Sequence, residues 1–290
     1  MNQDAVLGIA LPVTLFLIMF GMGANLRPHD FRQLIARPAS VLSGLASQML
    51  LLPLLAYLLL SALALPAEIT IGFMILALSP GGTTSNVFSY LAGGNLALSI
   101  ALTAVVSLIA PVSLPLATDW ILGSRLAAGT TITLPFLPTV ARLIAITLVP
   151  VALGMTLRRL RPDLCERGEF WLTRVPFVML LAVIAGIIAQ NWTRMPAFLA
   201  VTAAPALLLA SAALIAGYGF ARALGRAARD ARTIAIETAI QNGGTAILVT
   251  GTVLGNPTMT IAPVMYGILM LVPALGYLAL RRLRAPAPAG

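Results

Sequence analysis

Long apolar segments alternate with short polar ones along the whole of this 290-residue chain. A helix needs about 20 mainly apolar residues to cross the hydrocarbon core of a bilayer, and runs of that length recur throughout the sequence. The pattern therefore predicts an all-α polytopic membrane protein with nine transmembrane helices. The predicted spans cover residues 4–24, 38–65, 69–91, 95–118, 134–157, 172–191, 196–221, 233–254 and 258–280.

The third and eighth spans are interrupted by the same tripeptide. Gly-Gly-Thr stands at 81–83, directly after Pro80, and again at 243–245. Proline removes a backbone donor and glycine permits non-helical backbone angles, so we expect both helices to be broken at these points. Unwound backbone inside a membrane is stable only where protein, water or an ion covers it. Two such breaks in corresponding places point to the binding site of a secondary transporter.

Composition and charge agree with a membrane protein. Hydrophobic residues make up 59% of the chain and charged residues 9%. The net charge of +9 comes from arginines that cluster after spans one, five, seven and nine, so it predicts topology and not nucleic-acid binding. By the positive-inside rule we expect an inner (cytoplasmic) membrane protein with its N-terminus outside and its C-terminus in the cytoplasm. The cytoplasmic arginines would be Arg27, Arg32, Arg37, Arg158, Arg159, Arg161, Arg167, Arg222, Arg226, Arg229, Arg232, Arg281, Arg282 and Arg284, against Arg125 and Arg194 in the opposite loops.

In this orientation the two broken spans run in opposite directions through the membrane. That arrangement is expected of an inverted-topology repeat. The half-helices would present carbonyl ends that attract cations, and amide ends near Thr83 and Gly244 that attract anions. A single glycine break favours a kink or close helix packing over a functional role. The pair of breaks, with its polar neighbours, favours a functional interpretation.

Glu237 is the one acidic residue predicted to lie deep inside a span. A carboxylate there costs about 3 kcal/mol on insertion scales, so it needs a partner. An ion pair with Arg142 or Arg174, a proton relay and a bound monovalent cation are all compatible with the sequence. The cation is favoured because several oxygen-bearing side chains fall in neighbouring spans, and hard cations take oxygen ligands. These side chains are Gln48, Ser85, Asn86, Ser99, Thr103 and Gln241.

Segments 79–103 and 237–244 resemble the two crossover regions of the bile acid:sodium symporter family, and residues 20–23 and 66–68 are also similar to it. The resemblance covers most of the chain. It implies a single transporter unit of two domains, with two sodium ions bound behind the crossing helices. The panel domain would comprise 1–36 and 134–191 and the core domain 37–120 and 196–284, while composition predicts a disordered tail at 285–290.

The resemblance also implies roles for individual residues. One sodium site would use Ser85, Asn86, Ser99, Thr103 and Glu237. The other would use Gln48, Gln241 and Glu237 with the backbone carbonyls of Thr238 and Ile240. Thr83, Asn242, Gly243 and Gly244 would face the substrate, and Pro80, Gly81 and Gly82 would form the first break.

Two departures from the family pattern fall on the substrate side. Many relatives have Asn-Ser-Gly where this chain has Asn-Gly-Gly at 242–244, and the last span is apolar around Leu271 and Val272.

From the resemblance we expect a sodium-coupled importer of an organic anion, bile-acid-like or a small carboxylate, that works by alternating access. A proton-coupled or sodium-independent carrier of the same architecture is the main alternative. An intramembrane enzyme or a sensor is less favoured, because no second catalytic partner accompanies Glu237 in the spans.

Overall fold

The computed structural model describes residues 6–27, 36–123 and 135–284, and these residues form a bundle of α-helices. Seven helices of the described part are long and apolar enough to cross a membrane. The third and eighth predicted spans are instead pairs of short helices. The helices are α1 (Gly8–Asn25), α2 (Pro38–Ala62), α3 (Ala67–Ala77), α4 (Thr83–Leu91), α5 (Leu96–Leu122), α6 (Phe136–Leu160), α7 (Pro162–Gln190), α8 (Trp192–Ala223), α9 (Ala228–Ala239), α10 (Gly243–Val253) and α11 (Ile261–Arg281).

The bundle buries polar side chains and exposes apolar ones, as expected in lipid. Helix α2 shows this most clearly. Leu50, Leu54 and Leu58, spaced by four residues on one face, are 70%, 54% and 56% exposed, whereas Ser47 and Gln48 on another face are buried. The exposed leucine row is suited to lipid tails, and the polar face points into the protein.

Helix α1 packs against α6 and α7 at very short range. A Cβ atom added at Gly23 would lie 2.2 Å from the carbonyl oxygen of Val151, and one added at Gly154 would lie 2.2 Å from that of Phe20. Glycines at these two positions allow the backbones of α1 and α6 to touch. Helix α8 contacts α2, α9 and α11, while α3 contacts both α5 and α11.

Several arginines lie around the turns at one end of the bundle, which we call the basic end, whereas Arg142 and Arg194 lie elsewhere. Arg229 Nε and Arg232 Nη2 donate to the carbonyls of Gly94 and Gly93, in the turn between α4 and α5. Arg27 and Arg158 both approach Glu166, at 3.7 and 3.6 Å. The turns that the sequence assigned to one side of the membrane are therefore in contact with each other.

One buried carboxylate ties three helices together at the basic end. Asp230 in α9 accepts hydrogen bonds from Ser40 Oγ (2.7 Å), Asn95 Nδ2 (2.9 Å) and Arg37 Nη1 (3.3 Å). Burial alone raises the pKa of Asp230, but these hydrogen bonds and the charge of Arg37 outweigh burial and hold the pKa below its ordinary value. Asp230 precedes the predicted eighth span, and its burial at 2% exposure is a finding of the structure.

Most helix boundaries differ from the prediction by a few residues, and two helix starts differ more. Helix α7 begins at Pro162, well before residue 172, because a proline in the first turn and Asp163 beside it favour a helix start. Helix α9 begins at Ala228 and not at 233. His29, Arg32, Arg125 and the predicted tail at 285–290 lie outside the described residues.

Candidate functional site

The two helix breaks meet each other in the middle of the bundle. Helix α3 ends at Ala77 and α4 begins at Thr83; α9 ends at Ala239 and α10 begins at Gly243. Gly81 and Gln241 form an antiparallel backbone bridge. The Asn242 N–H donates to the Pro80 carbonyl at 2.9 Å. The unwound segments thus satisfy part of each other's backbone hydrogen bonding, which a low-dielectric environment requires.

The first break coincides with the predicted one, but the second does not. Pro80, Gly81 and Gly82 lie in the non-helical stretch before α4. In the second segment the non-helical residues are 240–242, and Gly243 already belongs to the first turn of α10. The helix can begin there because Asn242 caps it: the Asn242 Oδ1 atom accepts from the Thr245 N–H at 3.2 Å.

Glu237 lies at the centre of a polar cluster behind the breaks. Its side chain is 1% exposed. Ser85 Oγ donates to Glu237 Oε1 at 2.7 Å, and Thr103 Oγ1 donates to Glu237 Oε2 at 2.9 Å. Ser99 Oγ contacts both Glu237 Oε1 and, at 2.8 Å, Asn86 Oδ1. Hydrogen bonds therefore connect the five side chains predicted for one sodium site: three hydroxyls bond to Glu237, and Asn86 joins through Ser99.

The suggested arginine partners of Glu237 are engaged elsewhere. Arg142 Nη1 donates to the Thr252 carbonyl at 3.1 Å, and the Arg174 guanidinium lies 4.3 Å from the centre of the Phe170 ring. Within the described part of the chain, the ion pairs involve Glu166 and Asp230 and not Glu237. The ion-pair interpretation of Glu237 is wrong, since hydroxyl groups surround this carboxylate.

The residues predicted for the second site lie beside the first. Gln48 belongs to a π-helical turn of α2, Ser47–Leu51, and π turns are common at functional sites. A Cβ atom on Gly81 would lie 2.7 Å from Glu237 Oε2 and 3.2 Å from Gln48 Nε2, so Gly81 is wedged between these two side chains. Gln241 Nε2 donates to the carbonyls of Glu237 (3.1 Å) and Thr238 (2.9 Å).

Three buried amide atoms in this region have no hydrogen-bond partner among the described residues. They are the oxygen and the nitrogen of the Gln48 amide and the Oε1 atom of Gln241. An unpaired buried polar group costs about 1–3 kcal/mol, so such groups in a native protein call for a ligand. Amide oxygens are suitable ligands for a hard cation. Ile240 follows the last residue of α9 and has an extended backbone, so the chain leaves the helical path at this residue.

The breaks open in front onto a cavity of about 380 Å³. All four residues predicted to face the substrate line it: Thr83, Asn242, Gly243 and Gly244. Most of the remaining wall is apolar and comes from α1, α7 and α11, with Leu271 among its residues. The cavity therefore has a polar floor at the two half-helix starts and an apolar wall.

A second cavity of about 400 Å³ leads from this region to the basic end. It shares Thr83 and Asn25 with the front cavity and is also lined by Asn86 and Thr103 of the Glu237 cluster. Arg158, whose side chain is 10% exposed, lines it at the basic end. The sequence showed no arginine near the substrate region, because the fold brings Arg158 there from the far end of α6.

Sequence reasoning also missed supporting residues. The Tyr266 hydroxyl in α11 donates at 2.8 Å to the Ala239 carbonyl, at the end of α9. Ser47 shares a 2.8 Å hydrogen bond with Thr238, and Ser89 contacts Ser99 at 3.2 Å. A tyrosine inside an apolar span was the available signal, since a buried phenol usually finds a partner.

Comparison with known proteins gives a consistent result. A family model described as the Sodium Bile acid symporter family matches residues 12–213. The chain is 30% identical over 258 residues to the uncharacterized sodium-dependent transporter YocS of Bacillus subtilis (83% of this chain, 76% of that protein). It is 29% identical over 254 residues to the ileal sodium/bile acid cotransporter of Cricetulus griseus (83% and 70%). It is 30% identical over 246 residues to the probable sodium/metabolite cotransporter BASS1, chloroplastic, of Arabidopsis thaliana (84% and 60%).

Proposed function

The chain belongs to the sodium bile acid symporter family, and from that premise we propose that it imports an organic anion together with sodium by alternating access. The sequence-based prediction of the family is confirmed, and with it the class of sodium-dependent transporter in place of an enzyme. One observation carries the finer proposal: a buried carboxylate surrounded by hydroxyl and amide oxygens lies directly behind two paired helix breaks, and a cavity lies in front of them.

Sodium would bind on the side of Glu237. One ion would be held by Glu237 with Ser85, Asn86, Ser99 and Thr103. The hydroxyls that now donate to the carboxylate can rotate and present lone pairs to a cation instead. A second ion would use the unpaired amide oxygens of Gln48 and Gln241 with Glu237 and the carbonyls of Thr238 and Ile240. Two ions on one carboxylate require the neutral oxygens to supply most of the ligands.

Coupling would follow from the shared backbone of the breaks. A cation at Glu237 neutralises the carboxylate and draws together α4, α5 and α9, which supply its ligands. The Gly81–Gln241 bridge and the Asn242–Pro80 hydrogen bond transmit that order to the starts of α4 and α10. Backbone amides and the helix dipole at those starts favour a negative charge, so the anion would bind at Thr83, Asn242, Gly243 and Gly244.

The driving force suffices for accumulation. Each sodium ion contributes about 2.3 kcal/mol per 100 mV of membrane potential, and about 1.4 kcal/mol more for a tenfold concentration gradient. Two ions at about 100 mV would supply about 7 kcal/mol. A monovalent anion moving against the same potential returns about 2.3 kcal/mol of this.

The same proposal extends to architecture and orientation. We infer nine spans arranged as an inverted repeat, since the two broken helices pair in antiparallel fashion. Close packing of α1 against α6 and α7 supports a panel domain, and the helices around α8 would form the core. The common location of the arginines supports a cytoplasmic basic end and an inner-membrane protein with its N-terminus outside. The cavity at that end then corresponds to an inward-facing state.

Sodium-driven uptake into proteoliposomes tests the proposal. A thermal-shift screen of bile acids and small carboxylates, with and without sodium, would first identify an anion whose stabilisation depends on sodium. Uptake of that anion should follow an imposed sodium gradient without a pH gradient, and Glu237→Gln should abolish it. Glu68→Gln is the control, because Glu68 lies at the start of α3, away from the first break, where it accepts a hydrogen bond from Asn256.

Two outcomes would contradict the proposal. Uptake that follows a pH gradient and ignores sodium would favour the proton-coupled alternative. Full sodium-driven uptake by Glu237→Gln would remove the carboxylate from the mechanism.

A further inference from the structure

A row of four polar side chains follows one face of α5. Asn95, Ser99, Thr103 and Ser107 are spaced by four residues, which places them on the same side of the helix. The first three are hydrogen-bonded to α9: Asn95 to Asp230, and both Ser99 and Thr103 to Glu237. Ser107 continues the row beyond the cation cluster, away from the basic end.

At this fourth position two buried hydroxyls have no partner among the described residues. Ser107 is 3% exposed and Thr245, in α10, is 2% exposed, and neither hydroxyl makes a hydrogen bond within that part of the chain. Both line one small cavity, whose other walls are also buried. The volume in which the centre of a water molecule can be placed is about 10 Å³. A cavity needs about 10–15 Å³ by this measure to hold one water.

The cavity also offers further hydrogen-bonding groups. Thr147 in α6 donates its hydroxyl hydrogen to the Leu143 carbonyl at 2.6 Å, which leaves its oxygen free to accept. Pro80, in the first break, also lines the cavity, and its carbonyl takes one hydrogen bond from Asn242 and has a second lone pair. A molecule in the cavity could therefore make the two to four hydrogen bonds that buried waters make.

We propose that Ser107 and Thr245 hold one water molecule, and that this site is the closed remainder of the path by which sodium reaches Glu237 from the end opposite the arginines. The second part rests on the proposed function. It follows from the position of the cavity: Thr103 lines the cavity that opens to the basic end, and Ser107, one helical turn further along α5, lines the closed one. The Glu237 cluster lies between the two.

The walls of the closed cavity come from helices of the proposed panel domain and from helices of the proposed core domain. Met19 belongs to α1, and Leu143 and Thr147 belong to α6, whereas Ser107 and Thr245 belong to α5 and α10. A movement of α1 and α6 relative to α5 and α10 would therefore enlarge this cavity. In the present arrangement a single water would join the two groups.

Thermal unfolding of three variants tests the water site. Removing a hydroxyl that truly lacks a partner is neutral or stabilising, whereas removing one that binds a buried water is destabilising. Ser107→Ala and Thr245→Val should each lower the Tm by about 2–4 °C, and the double variant should lose less than the sum of the two. Thr118→Val is the matched control, because Thr118 is a buried, unpaired hydroxyl of the same helix that does not line the cavity.

A structure at high enough resolution to show water gives an independent measurement. A density peak within about 2.7–3.2 Å of both hydroxyls is expected. No peak, together with single variants that behave like Thr118→Val, would overturn the water site. Neither measurement needs a substrate, so failure of sodium-driven uptake would leave this result standing.

Cysteine labelling tests the path. In a chain whose single cysteine is replaced, Cys165→Ser, Ser107→Cys should react with a membrane-impermeant methanethiosulfonate added on the side opposite the arginines. The reaction should be several times faster than that of Thr118→Cys. Labelling of Ser107→Cys only from the basic end, or as slowly as Thr118→Cys, would contradict the path.

Discussion

The two Gly-Gly-Thr tripeptides have the same sequence but different structures. At the first break, Gly81 and Gly82 are unwound and Thr83 is the first residue of α4. At the second, Gly243 is the first residue of α10, and the unwound residues are 240–242. The antiparallel bridge pairs Gly81 with Gln241, so the first tripeptide begins at the bridge whereas the second is offset from it and begins two residues later.

This offset gives the two breaks different tasks. The first contributes space, since Gly81 leaves room for the Glu237 carboxylate and for Gln48. The second contributes side chains, since Gln241 is paired with Gly81 and Asn242 is hydrogen-bonded to Pro80. Cation binding should therefore be most sensitive to added volume at the first break, and anion binding to changed chemistry at the second.

The largest effect is expected from Gly81→Ala. The added Cβ would lie 2.7 Å from Glu237 Oε2 and would displace the carboxylate, so sodium affinity should fall by about 100-fold. Gly82→Ala is the matched control, because the nearest atoms to its Cβ, in Asn242, are 3.9 Å away. Sodium-dependent thermal stabilisation measures both. Equal losses in the two variants would contradict the assignment of space to Gly81.

Asn242 tests the second break. Asn242→Asp keeps an oxygen that can cap α10 but places a negative charge at the proposed anion site, so uptake should fall by more than about tenfold while sodium still stabilises the protein. Asn242→Ala should also impair uptake and, because the cap is lost, cost about 1 kcal/mol of stability. Parallel loss of sodium binding and uptake in Asn242→Asp would show that the two sides are not separate.

Gln48→Met is expected to have opposite effects on stability and on sodium binding. It replaces an unpaired buried amide with an apolar side chain of similar size, so the sodium-free protein should become more stable. Loss of an amide oxygen should weaken sodium binding by about tenfold. Thermal unfolding across a sodium titration gives both quantities. A variant that is less stable without sodium would mean that the Gln48 amide is satisfied in the protein.

The smallest effect on transport is expected at Asp230, outside the membrane-spanning part of α9. Its pKa is lower in the folded protein than in the unfolded chain, so its contribution to stability is present above the ordinary carboxyl pKa and is lost as the pH falls through the folded value. Asp230→Asn should therefore be less stable than the wild type at pH 7, and the difference should shrink in acid. A difference in Tm that does not change with pH would contradict the ionised hydrogen-bonded carboxylate.

The polar cluster around Glu237 could be predicted from sequence for a physical reason, while its binding of a cation stays a prediction. Glu237, Asn86, Gln48 and Gln241 are too polar to face lipid, so they had to face each other or a ligand, and the spacing of Ser99 and Thr103 fixed a common helix face. The position of the second break could not be predicted, because glycine is tolerated both in an unwound segment and in the first turn of a helix.

Long-range contacts were the other features hidden from the sequence. Asp230 reads as a loop acid until α9 and the turn before α5 come together around it. The approach of Arg158 to one cavity, and the presence of Ser107 and Thr245 in the wall of another, likewise depend on helices far apart in the chain.

The central claim is that Glu237 binds sodium behind the paired breaks. Thermal unfolding of the purified protein in sodium chloride and in potassium chloride of equal ionic strength tests it most directly, with Glu237→Gln as the comparison. The wild type should become more stable as the sodium concentration rises, following the linkage between binding and folding, and potassium should not reproduce the effect. Identical Tm values in the two salts, or the same sodium effect in Glu237→Gln, would contradict the account.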